Sequence, residues 1–167
     1  MIHKVQKKQQ NSRLCFVCGL KNDFGIKAGF FEMDNNELAA TFTPCEKHQS
    51  YPGRLHGGIA TAILDETIGR AIMIEHDEIW SVTVELQIKF KRPVPHDMEL
   101  KVVGRITDQN KRFFVGTGEL ILPNGEVAVS ARGKYMKLPI DKIADFDHEK
   151  EEWKVVEAKN DPQEIEF

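Results

Sequence analysis

Apolar and polar positions change period along this chain, and each change marks an element. From Gly57 onward the residues Ile59, Ala60, Ala62, Ile63, Leu64, Ile68, Ala71, Ile72, Met73 and Ile74 point in nearly every direction around a helical axis. That pattern predicts one long buried helix over residues 57–75, roughly 28 Å in length at 1.5 Å per residue. After the polar turn Glu75-His-Asp-Glu78 the period switches to two. Val82, Val84, Leu86, Ile88 and Phe90 alternate with Thr83, Glu85, Gln87, Lys89 and Lys91, as in a strand with one face on a core. Pro93 and Pro95 end it. Leu100–Thr107, Phe113–Leu122 and Val127–Met136 are predicted as three more strands, with Asn110 in one connection and Pro123-Asn124-Gly125 as a tight turn in the other. Before the helix, Ile26–Met33 and Glu37–Thr43 form a hairpin about Asp34-Asn35-Asn36, and Pro44 ends its second strand.

The order is two strands, one helix, then four strands joined by hairpin-like links. The predicted class is α+β, with a curved antiparallel sheet wrapped around one central helix. A parallel doubly wound fold would need more helices. Residues 1–13 are polar and basic, with Lys4, Lys7, Lys8 and Arg13, and read as an arm or frayed helix. Residues 139–167 carry ten acids and four lysines. Trp153, Val155 and Val156 there suggest a short surface helix, followed by a disordered end. The main domain is therefore expected at 14–138.

A buried helix should hold few charges, yet this one holds Asp65, Glu66 and Arg70. Glu66 and Arg70 are four apart, acid first, the favoured order for a helical ion pair. Asp65 has no basic residue at i+3 or i+4. It either meets a partner from elsewhere or keeps a raised pKa, as catalytic carboxylates do. His56-Gly57-Gly58 opens the helix, where backbone N–H groups lack intrahelical acceptors and can face a developing oxyanion. The plainer reading is that His56 caps the helix and the glycines permit the turn. His56 and Asp65 are nine residues apart, about 13 Å along one helix. They act on one atom only if a site combines two chains, as in a two-fold dimer with two equivalent sites.

Composition narrows the class. With 167 residues, 41% apolar and 29% charged, and a net charge of −3, the chain reads as one soluble domain without general nucleic-acid affinity. No apolar run of membrane length and no signal-like N-terminus occurs, so a cytoplasmic location without a membrane partner is expected. Three cysteines argue against a disulfide framework. Cys15 and Cys18 form a C-x-x-C. Cys45 and His48 would be needed to complete a zinc set. The expected reading is instead a turn at Cys18-Gly19, with Phe16 and Val17 on the core, no metal, and His48 at the surface.

The run His56-Gly-Gly-Ile-Ala-Thr-Ala-Ile-Leu-Asp65 resembles the helix signature of hotdog-fold acyl-CoA thioesterases of the PaaI-like branch: His-Gly-Gly, six residues, Asp. Cys15-Phe-Val-Cys-Gly-Leu-Lys-Asn22, followed by Asp23-Phe-Gly25-Ile26, is similar to the opening segment of some members. The resemblance covers residues 14–138. It implies hydrolysis of acyl- or aryl-acyl-CoA thioesters by a homodimer or homotetramer. The Gly57 amide would be the oxyanion donor, with His56 beside it. Asp65 of the other subunit would be base or nucleophile, and Thr83 would orient water. Family members often draw an Asn or Gln from the loop before the helix. Ser50 holds that position here, with Gln49 adjacent. Gly58, Ser50, Gln49, Glu66 and Arg92 are the substrate-binding candidates, and Lys89, Lys91, Lys111 and Arg112 could meet CoA phosphates. No cofactor beyond the CoA of the substrate is implied. Two rivals stand beside this reading: a hotdog hydratase or dehydratase, and a non-catalytic acyl-CoA binder or sensor.

Overall fold

The helix begins where its capping chemistry permits. His56 is in extended conformation (φ −64°, ψ 132°) and its Nδ1 accepts the Gly58 N–H at 2.9 Å, satisfying one of the first orphan donors. In the computed structural model, which describes residues 1–167, α1 then runs Gly57–Arg70. The predicted helix is corrected here: Ala71–Ile74 tighten into a 3-10 turn, so α1 holds 14 residues, or roughly 21 Å. Nor is it buried all round. Ile63, Leu64, Ile68 and Ile72 are fully buried, each stabilising the fold by about 1.5–3 kcal/mol relative to exposure. Ala62, Asp65, Glu66 and Gly69 form a stripe that is only partly covered.

Eight strands make one antiparallel sheet: β1 (Ile2–Lys8), β2 (Gly29–Met33), β3 (Leu38–Phe42), β4 (Trp80–Phe90), β5 (Leu100–Gln109), β6 (Phe113–Ile121), β7 (Val127–Leu138) and β8 (Glu164–Glu166). Their order is β4-β7-β6-β5-β3-β2-β1-β8. The sheet curls about α1, which packs on β3 to β7. This is the hotdog architecture the sequence predicts. Close approach of helix to sheet depends on Gly116. A Cβ there would lie 2.5 Å from Ile68 Cγ2, inside any tolerable contact.

Both termini depart from expectation. The basic N-terminus is neither arm nor frayed helix. It is β1, which pairs with β2 and β8. The acidic C-terminus forms no α-helix. It runs through turns and ends as β8 on β1, so its last residues are ordered in the sheet. Between them, Arg13 N donates to Glu151 O at 2.8 Å, and Asn11 and Lys154 exchange backbone hydrogen bonds at 3.0 and 3.2 Å. These tie the C-terminal segment across the N-terminal one. Trp153 packs on Trp80 at 4.8 Å between centroids with the rings tilted by 41°, and Phe146 lies 5.3 Å from Trp80.

β4 departs from the simple alternation of its sequence. Its register on β7 pairs Val82 with Met136, Thr83 with Tyr135 and Glu85 with Lys134, which leaves Val84 as a bulge. One extra residue reverses the parity of a strand. Leu86 and Ile88 pack against the core below the bulge. Above it Ser81 and Thr83 face the helix, and Val84 is 52% exposed. Thr83 is therefore not on an outward polar face.

Candidate active site

The bulge and the register bring three side chains together. The Thr83 hydroxyl donates to the Asp65 carboxylate, 2.9 Å from Oδ1 and 3.1 Å from Oδ2. The Tyr135 hydroxyl donates to Asp65 Oδ1 at 3.0 Å. Tyr135 fits because Gly133, two residues earlier on β7, has no side chain. A Cβ there would stand 2.4 Å from the Tyr135 ring. Burial pushes the Asp65 pKa above the usual carboxylate range and the neighbouring Glu66 charge adds to this, against the two hydroxyl donors. Burial also raises the Tyr135 pKa, followed by the Asp65 charge, so Tyr135 remains a protonated donor at neutral pH.

Asp65 opens into a cavity of about 450 Å³, within the usual size for a small-ligand site. Its walls include Cys15, Met73, Trp80, Tyr135, Phe146 and Trp153. The C-terminal segment thus closes over the candidate carboxylate. Glu66 also lines this cavity, but its carboxylate is held by Arg70 Nε at 2.9 Å, the ion pair read from the i,i+4 spacing. Arg70 in turn lies over the rings of Phe30 and Trp153, at 4.3 and 4.9 Å.

The residues predicted at the helix start gather elsewhere. Ser50, Tyr51, Gly57, Phe90 and Arg92 line a second cavity of about 390 Å³, and Asp65 is not among its walls. The Gly57 N–H, first in the helix, donates to no acceptor in the chain. Gly58 does not share that freedom, because its N–H is bound by His56. His56 is exposed and acts as the helix cap. Gln49 bridges Leu55 in the loop and lines neither cavity. Arg92 pairs with Glu126 at 2.7 Å. One chain therefore carries two half-sites: an amide donor at one end of α1 and a carboxylate a little over two turns along.

His48 is buried, not superficial. Its Nδ1 accepts the Cys45 N–H at 3.0 Å and its Nε2 meets Phe24 O at 2.9 Å. Both ring nitrogens are occupied in holding the loop, which removes it from any metal set. A third cleft of about 500 Å³ lies between β1–β3 and the C-terminal segment. It is crossed by the Lys8–Asp161 ion pair at 2.7 Å and assembles no reactive cluster.

Sequence reasoning missed Tyr135, Trp80, Phe146 and the cavity-facing thiols. Gly133-Lys134-Tyr135 carried a usable signal, a residue without a side chain followed on the same strand face by the bulkiest one. The aromatic wall had none, since it depends on a segment outside the resemblance.

An antiparallel sheet curled about a helix that carries an unpaired acid defines the hotdog class. The thioesterase superfamily model matches residues 52–129, from the loop before α1 into β7, which bears out the resemblance carried by His56–Asp65. Solved structures agree in fold. A thioesterase superfamily protein is 24% identical, with a TM-score of 0.68 over 74% of this chain and 63% of its own length. This chain therefore spans less than two thirds of that relative. The Escherichia coli PaaI protein from the phenylacetic acid degradation operon is 19% identical, with a TM-score of 0.61 over 68% of this chain and 80% of that one. A Bacillus halodurans protein solved with CoA is 25% identical, with a TM-score of 0.55 over 60% and 66% of the two chains. No curated protein matches the sequence. No helix is long and apolar enough to cross a membrane.

Proposed function

We propose that this protein hydrolyses acyl-CoA or aryl-acyl-CoA thioesters to the free acid and CoA. The observation that carries the reading is Asp65: a carboxylate with a raised pKa, on a mostly apolar helix, fixed by Thr83 and Tyr135 at the wall of an aromatic cavity. A merely apolar acyl pocket has no use for such a group, which costs stability. Both donors favour Oδ1, so Oδ2 keeps lone pairs for a water proton or for direct attack on the carbonyl. Both routes start from the ionised acid. The Gly57 N–H, at the positive end of α1, suits the developing oxyanion.

These groups lie about 12 Å apart along α1, so the working site takes Gly57 from one chain and Asp65 from its partner. β4 supports such a dimer. It is an edge strand of 11 residues, with Val84 and Phe90 exposed, and long bare edges with apolar side chains invite pairing. A homodimer or homotetramer follows, acting in the cytoplasm and needing no group beyond substrate CoA. The Bacillus halodurans relative solved with CoA supports acyl-CoA as ligand. The Asp65 cavity is lined by no histidine, which favours hydrolysis over hydratase chemistry. A cavity built round a held carboxylate favours it over simple binding.

The test is thiol release from a panel of acyl-CoAs by wild type and Asp65→Ala. We expect turnover on at least one member by wild type, and loss of at least about 100-fold in kcat for the variant. Acyl-CoA binding without turnover by wild type would favour the sensor. Full activity in Asp65→Ala would overturn the mechanism.

A further inference from the structure

The C-x-x-C of the N-terminal segment is unused by the reaction above, yet it faces the same cavity. Its turn is tight. Gly19 N donates to Cys15 O at 2.7 Å, and a Cβ on Gly19 would sit 2.4 Å from that oxygen. The turn holds Cys15 Sγ, Cys18 Sγ and a Glu66 carboxylate oxygen within 4.8 Å of one another. The two thiols differ in access. Both line the cavity wall, but Cys15 is partly exposed, whereas Cys18 is 1% exposed and packed against the core. They also differ in partners. Cys15 Sγ accepts the Cys18 N–H at 3.4 Å. Cys18 Sγ has the Ser12 hydroxyl at 3.4 Å.

We propose that Cys15 and Cys18 are a redox-active thiol pair that exchanges with low-molecular-weight disulfides and closes to an intramolecular disulfide in the cavity wall. The Cys15 thiolate attacks one sulfur of R–S–S–R, forming a mixed disulfide and expelling RS⁻. Cys18 then gives its proton to that thiolate and attacks Cys15 Sγ, expelling the second RS⁻, which is protonated by solvent. The dithiol loses two electrons and two protons, and the small disulfide becomes two thiols. The order follows from geometry, since Cys15 is the more exposed thiol and Cys18, at the same wall, is 1% exposed. Hydrogen bonding from the Cys18 thiol and backbone lowers the Cys15 pKa against burial and the Glu66 charge. The same contact and burial raise that of Cys18. That asymmetry suits an attacking and a resolving cysteine.

The same groups are a poor metal site. Glu66 is already bound by Arg70 at 2.9 Å, a fixed cation beside the thiols. The fourth ligand weighed from sequence is absent, because His48 has both nitrogens engaged and Cys45 is exposed on another loop. Cys45 has no second thiol in the same cluster and serves as an internal control.

The pair is independent of the hydrolysis reading, and its test reads mass alone. The reduced full chain is freed of reductant, treated with increasing oxidised glutathione, quenched with acid and mapped by peptide mass spectrometry. We expect the Cys15–Cys18 peptide to lose two hydrogens without retaining glutathione, while Cys45 accumulates a glutathione adduct. Cys18→Ser is expected to trap glutathione on Cys15, and Cys15→Ser to leave Cys18 unmodified. The proposal is overturned if wild type keeps glutathione on Cys15, if both thiols stay reduced while Cys45 reacts, or if the purified chain holds one zinc that protects both. The wild-type result decides the matter even if a variant fails to fold.

Discussion

Asp65 has its two hydroxyl donors and no cation, so burial disfavours its ionised form. The linkage sign follows. A folded-state pKa above the unfolded one contributes stability that is present below the ordinary carboxylate range and lost as pH rises through the raised value. Asp65→Asn keeps an acceptor for Thr83 and Tyr135 and removes that penalty. We expect the variant to melt a few degrees above wild type at pH 7, with partial exposure limiting the gain, and to converge with it in acid. Thermal melts across pH check this. A variant that melts well below wild type at pH 7 would mean that the charge is paired in a way the hydrogen bonds above do not describe. Turnover moves oppositely: it needs the ionised acid and falls as pH drops through the raised pKa. Asp65 itself was legible in the sequence, because an acid without an i+3 or i+4 base on an apolar helix has no local explanation. Its partner Tyr135 was not. It reaches Asp65 across 70 positions, and only the β4–β7 register sets that distance.

Strand β4 is where local pattern and tertiary pairing disagree. Val82 to Phe90 reads as one unbroken alternation, and an alternating strand would hold Thr83 on the face away from the helix. The bulge at Val84 turns Thr83 toward Asp65 instead. No glycine or proline announces it, because the extra residue answers the spacing of Tyr135 and Lys134 on the neighbouring strand. Terminal strands β1 and β8 escaped notice for the same reason. Their own residues are charged and β-poor, and their stability comes from pairing with each other and with β2. Deleting Val84 leaves Thr83 opposite Tyr135 and Glu85 opposite Lys134, so the shortened strand should keep Thr83 at the carboxylate and turn over like wild type. Thr83→Val removes that donor. A hydrogen bond to a charged group contributes about 1.5–3 kcal/mol, so its kcat/KM should fall by about tenfold or more. Steady-state kinetics of the two variants check this, and a folded Val84 deletion as impaired as Thr83→Val would sink this reading of the bulge.

Across the whole molecule, α1 separates the amide donor from the acid, and the two cavities share no wall residue. The helix signature and the strand order sufficed to read the fold. The aromatic wall around Asp65 needed the C-terminal segment, whose path is set by long-range contacts with Asn11, Arg13 and Trp80. The two-chain site makes a prediction that no single-chain site shares. Gly57→Pro deletes the candidate oxyanion N–H where proline is welcome, at the first helical position. His56 already has the extended backbone that a following proline requires, and the nearest atoms to a new Cβ belong to the exposed ring of Phe90, at 3.3 Å. Alone, Gly57→Pro should fold and lose about 10²–10³ in kcat. Asp65→Asn alone should be similarly inactive. In a heterodimer of the two, one site pairs the intact Gly57 of the Asp65→Asn chain with the intact Asp65 of the Gly57→Pro chain, and the other site is doubly defective. Differently tagged variants, co-expressed and purified through both tags, should therefore recover about half of wild-type turnover per dimer, since one of two equivalent sites is whole. If the purified heterodimer stays as inactive as either parent, Gly57 and Asp65 do not serve a shared site, and the acid must find its oxyanion donor within its own chain.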